Sequence, residues 1–240
     1  IDEDPKWVEI QYRNVLNKYI SSSKMMNYSN VYSGSDLGIS KIKNFIYQHF
    51  LQIIRLYRNS IISKELLKEV ISDLLPVKTF EELKIPLKVC VTDLNSAKSI
   101  VYETGNLIES LVKSCSIPGV IEPTIEDKKV LVDGGVLSPI PVSVLKDKCN
   151  FIIAVNIPQN EYSVLTSKSK MYDLKGRADL IISNRLKYIE TKDADFVFKP
   201  DTMGTHWSNF QKFEDLVKSG KNEVEMKMEK LGSMLQMDKN

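Results

Sequence analysis

The chain has 240 residues, 42% of them hydrophobic, which is enough for a substantial core. Its 33 lysines and arginines stand against 31 aspartates and glutamates, a net charge of +2 that offers no basis for a nucleic-acid partner and permits only mild attraction to anionic surfaces. No run approaches the roughly 18 apolar residues of a membrane span and no signal-peptide pattern stands out, so the expected location is cytoplasmic, peripheral where a membrane is met.

Residues 1 to about 75 read as helical. Within them "KIKNFIYQHFLQIIRLYRNSII" (Lys41 to Ile62) puts Ile42, Phe45, Ile46, Phe50, Ile53 and Ile54 on one helical face. The preferred reading is a helix docked on the core, and the alternative is a surface helix that meets lipid or covers an active site. Ser63 then precedes "KELLKEVISDLL", with Glu65 in the first turn, where the helix dipole favours negative charge.

From about residue 86 the pattern changes. "PLKVCVTDL" (Pro86 to Leu94) is a near-continuous apolar run, as expected of a strand covered on both faces. "SIVYETG" (Ser99 to Gly105) alternates and is placed to pair beside it. Asn106 and Glu109 have capping-box spacing before "SLVKSCS", which Pro118-Gly119 ends. "KKVLVDGG", "NFIIAVNIP" (Asn150 to Pro158) and "DFVFKP" (Asp195 to Pro200) bring the strand candidates to about five. The C-terminal "FQKFEDLVKSGKNEVEMKMEKLGSMLQM" is helical and reads as two helices separated at Gly220. Strands alternating with helices, without a repeat or a low-complexity linker, predict one α/β domain over residues 1–240.

The stretch "VLVDGGVLSPIPVSVL" (Val130 to Leu145) places a carboxylate at the mouth of an apolar strand, which is costly unless something pairs with it or uses it. Gly134 and Gly135 are expected to supply backbone φ values that residues with a Cβ resist. One reading is a tight turn in which Asp133 bonds its own backbone; the other is a catalytic carboxylate at a strand end, where open α/β sheets hold ligands. The turn by itself favours the first.

The order of several motifs reverses that preference. The strand ending in Thr92-Asp93, then "YETG", the helix leading to "SCSIPGVIEP", "LVDGG" and "PIPV" together resemble the second half of a patatin-like phospholipase domain. The similarity continues into "NFIIAVNIP" and "NFQKFEDLVKSG" and spans roughly residues 85 to 220. The resemblance implies a three-layer α/β/α fold with a mostly parallel central sheet. It also implies a serine acyl hydrolase that cuts ester bonds of phospholipids, lysophospholipids or other acyl lipids through a Ser-Asp dyad. Asp133 matches the dyad's Asp, and Gly134 and Gly135 match the turn that supports it.

Two departures from the pattern stand beside it. The family's nucleophile sits in G-x-S-x-G on a strand-to-helix elbow, with an upstream glycine-rich loop for the oxyanion, and neither motif occurs in these 240 residues. "SGSDLG" (Ser33 to Gly38) is the nearest lookalike and reads as a turn. "IDEDPKWVEIQYRNVLNKYI" resembles the stretch that follows the elbow helix, so the expected fold is incomplete at the N-terminus and the nucleophile is expected outside this sequence. The smaller departure is Ser138, where the family commonly has Asn before the first proline. Ser138 and Ser143 are weak nucleophile candidates because no elbow glycines surround them.

The remaining chemistry is sparse. His49 and His206 lie in no recognisable catalytic context. Asp93 is good turn chemistry in Asp-Leu-Asn-Ser before it is a site residue. Cys90, Cys115 and Cys149, odd in number and each in or beside an apolar segment, read as reduced core residues. No metal spacing and no cofactor motif is found, so neither is expected. The partner implied is an acyl lipid or phospholipid, with peripheral membrane contact. The competing reading is a non-catalytic lipid- or partner-binding protein that keeps the fold, and a weaker third is a nucleotide-binding α/β domain, which lacks both phosphate-loop patterns.

Overall fold

The computed structural model describes residues 5–21, 62–158, 164–167, 169–205 and 212–237. The Lys41 to Ile62 helix (apart from Ile62 itself), His49, His206 and the Ser33 to Gly38 turn lie outside them. The described chain mixes helices and strands in an α/β arrangement and divides into two compact units, residues 1–137 and 138–240.

In the first unit, helix α1 (Pro5–Ser21) buries Val15 and Tyr19. The Tyr19 hydroxyl donates to Asp73 Oδ2 at 2.6 Å, tying α1 to α2 (Lys64–Leu74). Helix α2 starts where the sequence predicts: the Ser63 hydroxyl accepts from the Leu66 amide at 3.3 Å, and Glu65 occupies the first turn. Helix α3 (Leu107–Ser114) is capped by Asn106, whose Oδ1 accepts from the Glu109 amide at 3.0 Å. Ile71 of α2 packs with Ile108 and Val112 of α3, while Leu107 joins Val77, Phe80 and Val89 against the sheet.

That sheet has strands β1 (Val89–Asp93), β2 (Lys98–Tyr102), β3 (Thr124–Glu126) and β4 (Lys129–Asp133) in the order β2-β1-β4-β3. All three pairings are antiparallel. For two of them, β1–β2 and β3–β4, the reason is local. The β1–β2 connection is only Leu94 to Ala97, with Ala97 at φ 51°, and the β3–β4 connection is Asp127-Lys128, at φ 47° and 64°. Connections that short close hairpins, whereas parallel neighbours need a crossover of a dozen or so residues. Strand β1 is buried along its whole length, as its unbroken apolar run predicts. β3 is a strand that the sequence pattern does not single out, because Thr124–Glu126 is short and polar.

The second unit supplies the parallel pairing. Strands β5 (Ile153–Val155) and β6 (Phe196–Phe198) run parallel, joined by a crossover that contains α4 (Met171–Glu190). Ile140, Val142, Ile152 and Ala154 form one cluster. Phe196 and Phe198 form another with Leu231 of α5 (Phe213–Met237). Helix α5 runs unbroken through Gly220, so the expected division into two helices there does not occur. A single interior glycine costs only about 1 kcal/mol against alanine, and Phe196, Phe198, Val224 and Met234 packed around Leu231 hold the helix in the turns that follow.

Candidate active site

Asp133 closes β4, opposite Val91 of β1. Its amide donates to the Ser116 carbonyl at 2.9 Å, just beyond the C-terminus of α3. One carboxylate oxygen, Oδ1, accepts from the Gly135 amide at 2.6 Å, capping the 3-10 turn Gly134–Val136. The carboxyl is half-buried, and burial pushes it above the ordinary carboxylate range despite the opposing Gly135 bond. The Asx-type bond of the turn reading is therefore present, and the carboxyl it fixes is one whose basicity burial raises.

The two glycines act through space. Neither lies in the left-handed φ region, which the described chain reserves for Gly105, Gly119 and Gly204 among its glycines. The expectation of unusual φ at Gly134 and Gly135 is thus corrected. A Cβ on Gly134 would lie 2.3 Å from the Cys90 carbonyl oxygen, and one on Gly135 would lie 2.9 Å from Asp133 Oδ1. Gly134 lets the turn settle against the backbone of β1, and Gly135 leaves room for the carboxylate itself.

Around the turn the backbone is pinned at several points. The β1–β4 register ends at Val91 and Asp133, and the Cys90 carbonyl next along accepts from the Ser114 hydroxyl at 2.8 Å. The Thr92 hydroxyl, fully buried, donates to the Gly134 carbonyl at 3.4 Å. Ser116 is equally buried, and its hydroxyl donates to the Val112 carbonyl at 2.8 Å. Helix α3, β1 and β4 therefore meet at Asp133.

Cys115 corrects the sequence reading of three core cysteines. It is exposed, as is Cys149, and only Cys90 is buried; none of the three is in a disulfide. The reason for Cys115 is its place at the C-cap of α3, where the chain leaves the helix. Although the residue keeps exposed surface, crowding around its thiol together with the charge of Asp133 pushes that thiol up to about 11. Its place beside the candidate base goes unnoticed in the sequence, where the available signal is "SCS", three small polar residues ending an apolar helix.

Asp93, the other strand-end carboxylate, is occupied structurally. It accepts from the Asn95 amide at 3.1 Å, the Ser96 hydroxyl at 2.5 Å and the Val130 amide at 3.1 Å. The Ser96 bond first, then the backbone bonds, hold it below the usual range. Because β1 and β4 are antiparallel, Asp93 pairs with Leu131 and lies toward the opposite end of the sheet from the Asp133 turn. In the second unit, Ser138 gives its hydroxyl to Glu190, which also accepts from the Ile140 amide at 2.8 Å. Ser143 is exposed. Among the described residues no group of three or more His, Cys, Asp or Glu side chains is placed to hold a metal ion.

A half-buried carboxyl in an Asp-Gly-Gly turn, braced by a helix that ends in Ser-Cys-Ser, can be compared with known proteins. A family model described as patatin-like phospholipase matches residues 11–146, more than half of the chain. The chain belongs to the patatin-like phospholipase family. The match takes in most of α1 and everything through the Pro-Ile-Pro segment, beginning earlier and ending earlier than the motif resemblance does. Uncharacterized NTE family proteins from two strains of Mycobacterium tuberculosis and from Mycobacterium bovis are each 32% identical to it over 102 residues. That alignment covers 42% of this chain and 28% of each relative's length.

Proposed function

We propose that this chain carries the base of a serine acyl hydrolase acting on phospholipid, lysophospholipid or another lipid ester. Asp133 is the base of a Ser-Asp dyad and its serine lies outside these 240 residues. The observation that carries this reading is the half-buried Asp133 carboxyl, raised by burial and fixed by the Gly135 amide. Family membership supports a lipid substrate. The match also runs across the boundary between the two units at residues 137 and 138, which supports reading residues 1–240 as one patatin-like domain.

In this reading the serine Oγ attacks the ester carbonyl while its proton passes to the free Oδ2 of Asp133. Collapse of the tetrahedral intermediate breaks the ester C–O bond, and the departing alcohol takes the proton back from Asp133. Water, deprotonated by the same carboxylate, then attacks the acyl-enzyme, and as the acyl C–Oγ bond breaks the serine Oγ takes that proton from Asp133 and the fatty acid is released. Gly135 holds Oδ1, which leaves Oδ2 to take the proton.

The test is labelling of the full-length protein with a serine-reactive fluorophosphonate, followed by peptide mapping. One adduct on a serine outside residues 1–240, lost or slowed at least about a hundredfold in Asp133→Asn, is the expected result. No adduct, or an adduct indifferent to Asp133→Asn, would replace the hydrolase with the lipid- or partner-binding reading.

A further inference from the structure

Helix α4 (Met171–Glu190) has no buried residue among those described, although it is rich in large apolar side chains. Met171 is 84% exposed, and Leu174, Ile181, Ile182, Tyr188 and Ile189 are each exposed by about half. At 3.6 residues per turn these six fall within an arc of about 120°. Leu180, Ser183 and Leu186, all half-buried, lie on the other side of the helix. The side turned to solvent is therefore the richer of the two in large apolar residues.

Charge is sorted around that arc. Residues 170–192 contain six cations and three carboxylates, a net +3 where the whole chain carries +2. The three carboxylates lie outside the arc at 3.6 residues per turn. Asp173 accepts from the Lys170 amide at 2.7 Å, Asp179 pairs with Lys175 at 2.5 Å, and Glu190 holds Ser138 and Ile140. Arg185 falls within the apolar arc, its guanidinium carbon 5.4 Å from the centre of the Tyr188 ring, and Lys192 Nζ lies 4.6 Å from the same ring. Arg177 flanks the arc on one side, and the Lys175–Asp179 ion pair flanks it on the other.

We infer that the exposed face of α4 lies in the plane of an anionic lipid surface. Apolar residues with an interfacial tyrosine and flanking cations are what such a surface recognises, the aliphatic side chains entering the acyl boundary and the cations meeting lipid phosphate and carboxylate groups. A second copy docked on the same face would set Arg185 and its neighbouring cations against themselves. No helix among the described residues is long and apolar enough to cross a membrane, so the contact described is in-plane. The inference deepens the acyl-lipid reading by naming the surface through which the lipid is met, and the two can fail separately.

The experiment is flotation of the full-length protein with phosphatidylcholine vesicles, with and without phosphatidylserine, at low and high salt. Binding to the phosphatidylserine vesicles that weakens with salt is expected. Ile181→Ser with Ile182→Ser should reduce partitioning about tenfold or more. Arg185→Glu should reduce it about tenfold on the anionic vesicles and little on the neutral ones. Asp133→Asn should float like the wild type, separating the surface from the chemistry. Hydrolysis of a soluble short-chain ester, unchanged in the α4 variants, tests the chemistry without the surface. Circular dichroism confirms that the variants fold. Failure to float, flotation indifferent to these substitutions, or a dimer in light scattering that the double isoleucine variant dissociates would overturn the inference.

Discussion

The Cα of Gly134 rests against the carbonyl of Cys90 so closely that a Cβ there would lie 2.3 Å from the oxygen. Backbone meets backbone at that point, and the Cys90 carbonyl is itself held by the Ser114 hydroxyl, so neither side can yield cheaply. Gly134→Ala should cost about 2–3 kcal/mol. In Gly135→Ala the clash is with Asp133 Oδ1 at 2.9 Å, the end of a side chain, so stability should fall by about 1 kcal/mol or less while the carboxylate is displaced. Thermal melts of both variants beside fluorophosphonate labelling check this. The first should show the larger loss of stability, and the second a loss of labelling out of proportion to its melt.

The raised carboxyl of Asp133 has a consequence for stability. A carboxyl raised on folding favours the folded state while protonated, fully so below its unfolded value of 3.8, and that advantage is lost as pH rises through the folded value. At neutral pH the charged form is therefore held at a cost that Asp133→Asn removes, while the amide oxygen can still accept from Gly135. The variant should be more stable than the wild type by about 0.5–1 kcal/mol at pH 7. That difference should shrink toward zero as pH falls below 3.8. Denaturant titrations at several pH values test it, and a variant less stable at pH 7 would show that Asp133 serves the fold first.

How much of this can be read from residues alone differs between elements. β1 and α2 are legible because their signals are local: an unbroken apolar run, and Ser63 followed by a periodic apolar pattern. A motif points to Asp133, Gly134 and Gly135 but not to the reason for the glycines, since a close approach to Cys90, more than 40 positions away, leaves no mark in the sequence beside them. Helix α4 is obscured for a related reason. Leu180 and Leu186 on its half-buried side, with larger numbers of apolar residues opposite, blur the single-stripe pattern by which a surface helix is recognised. The antiparallel sheet of the first unit is hidden in turn geometry, with two non-glycine residues, Asp127 and Lys128, adopting positive φ where Asn-Gly would have advertised a hairpin.

Cys115 offers a reporter on the site. With its thiol pushed up to about 11 by crowding and by the Asp133 charge, it stays protonated at pH 8 and should alkylate slowly despite its exposed surface. Iodoacetamide rates followed by peptide mass spectrometry should rise steadily from pH 7 to pH 10 without a plateau. Asp133→Asn removes the repelling charge and should speed Cys115 labelling at pH 8 severalfold, leaving Cys149 unchanged. Fast labelling of Cys115 at pH 7, or indifference to the Asp133 substitution, would mean that the thiol and the carboxylate do not sense each other.

Asp93 and Asp133 end neighbouring strands of one sheet, yet they should respond to acid in opposite senses. Asp93, held low by Ser96, Val130 and Asn95, stabilises the fold above its unfolded value of 3.8, and that contribution is lost as pH falls through its folded value. Its three acceptor bonds join the β1–β2 turn to the start of β4. Asp93→Ala frees two amides and a hydroxyl at once. The melting temperature should therefore drop clearly at pH 7, with the gap from the wild type narrowing as pH falls below 3.8 and through the lowered folded value. Hydrogen exchange localises the effect: the Val130 and Asn95 amides should lose protection in the variant while those deep in α3 keep theirs. Loss of protection throughout the first unit would instead make Asp93 a keystone of the whole sheet. An unchanged melt would remove it from any structural role and reopen the question of what a buried carboxylate does at that end of the sheet.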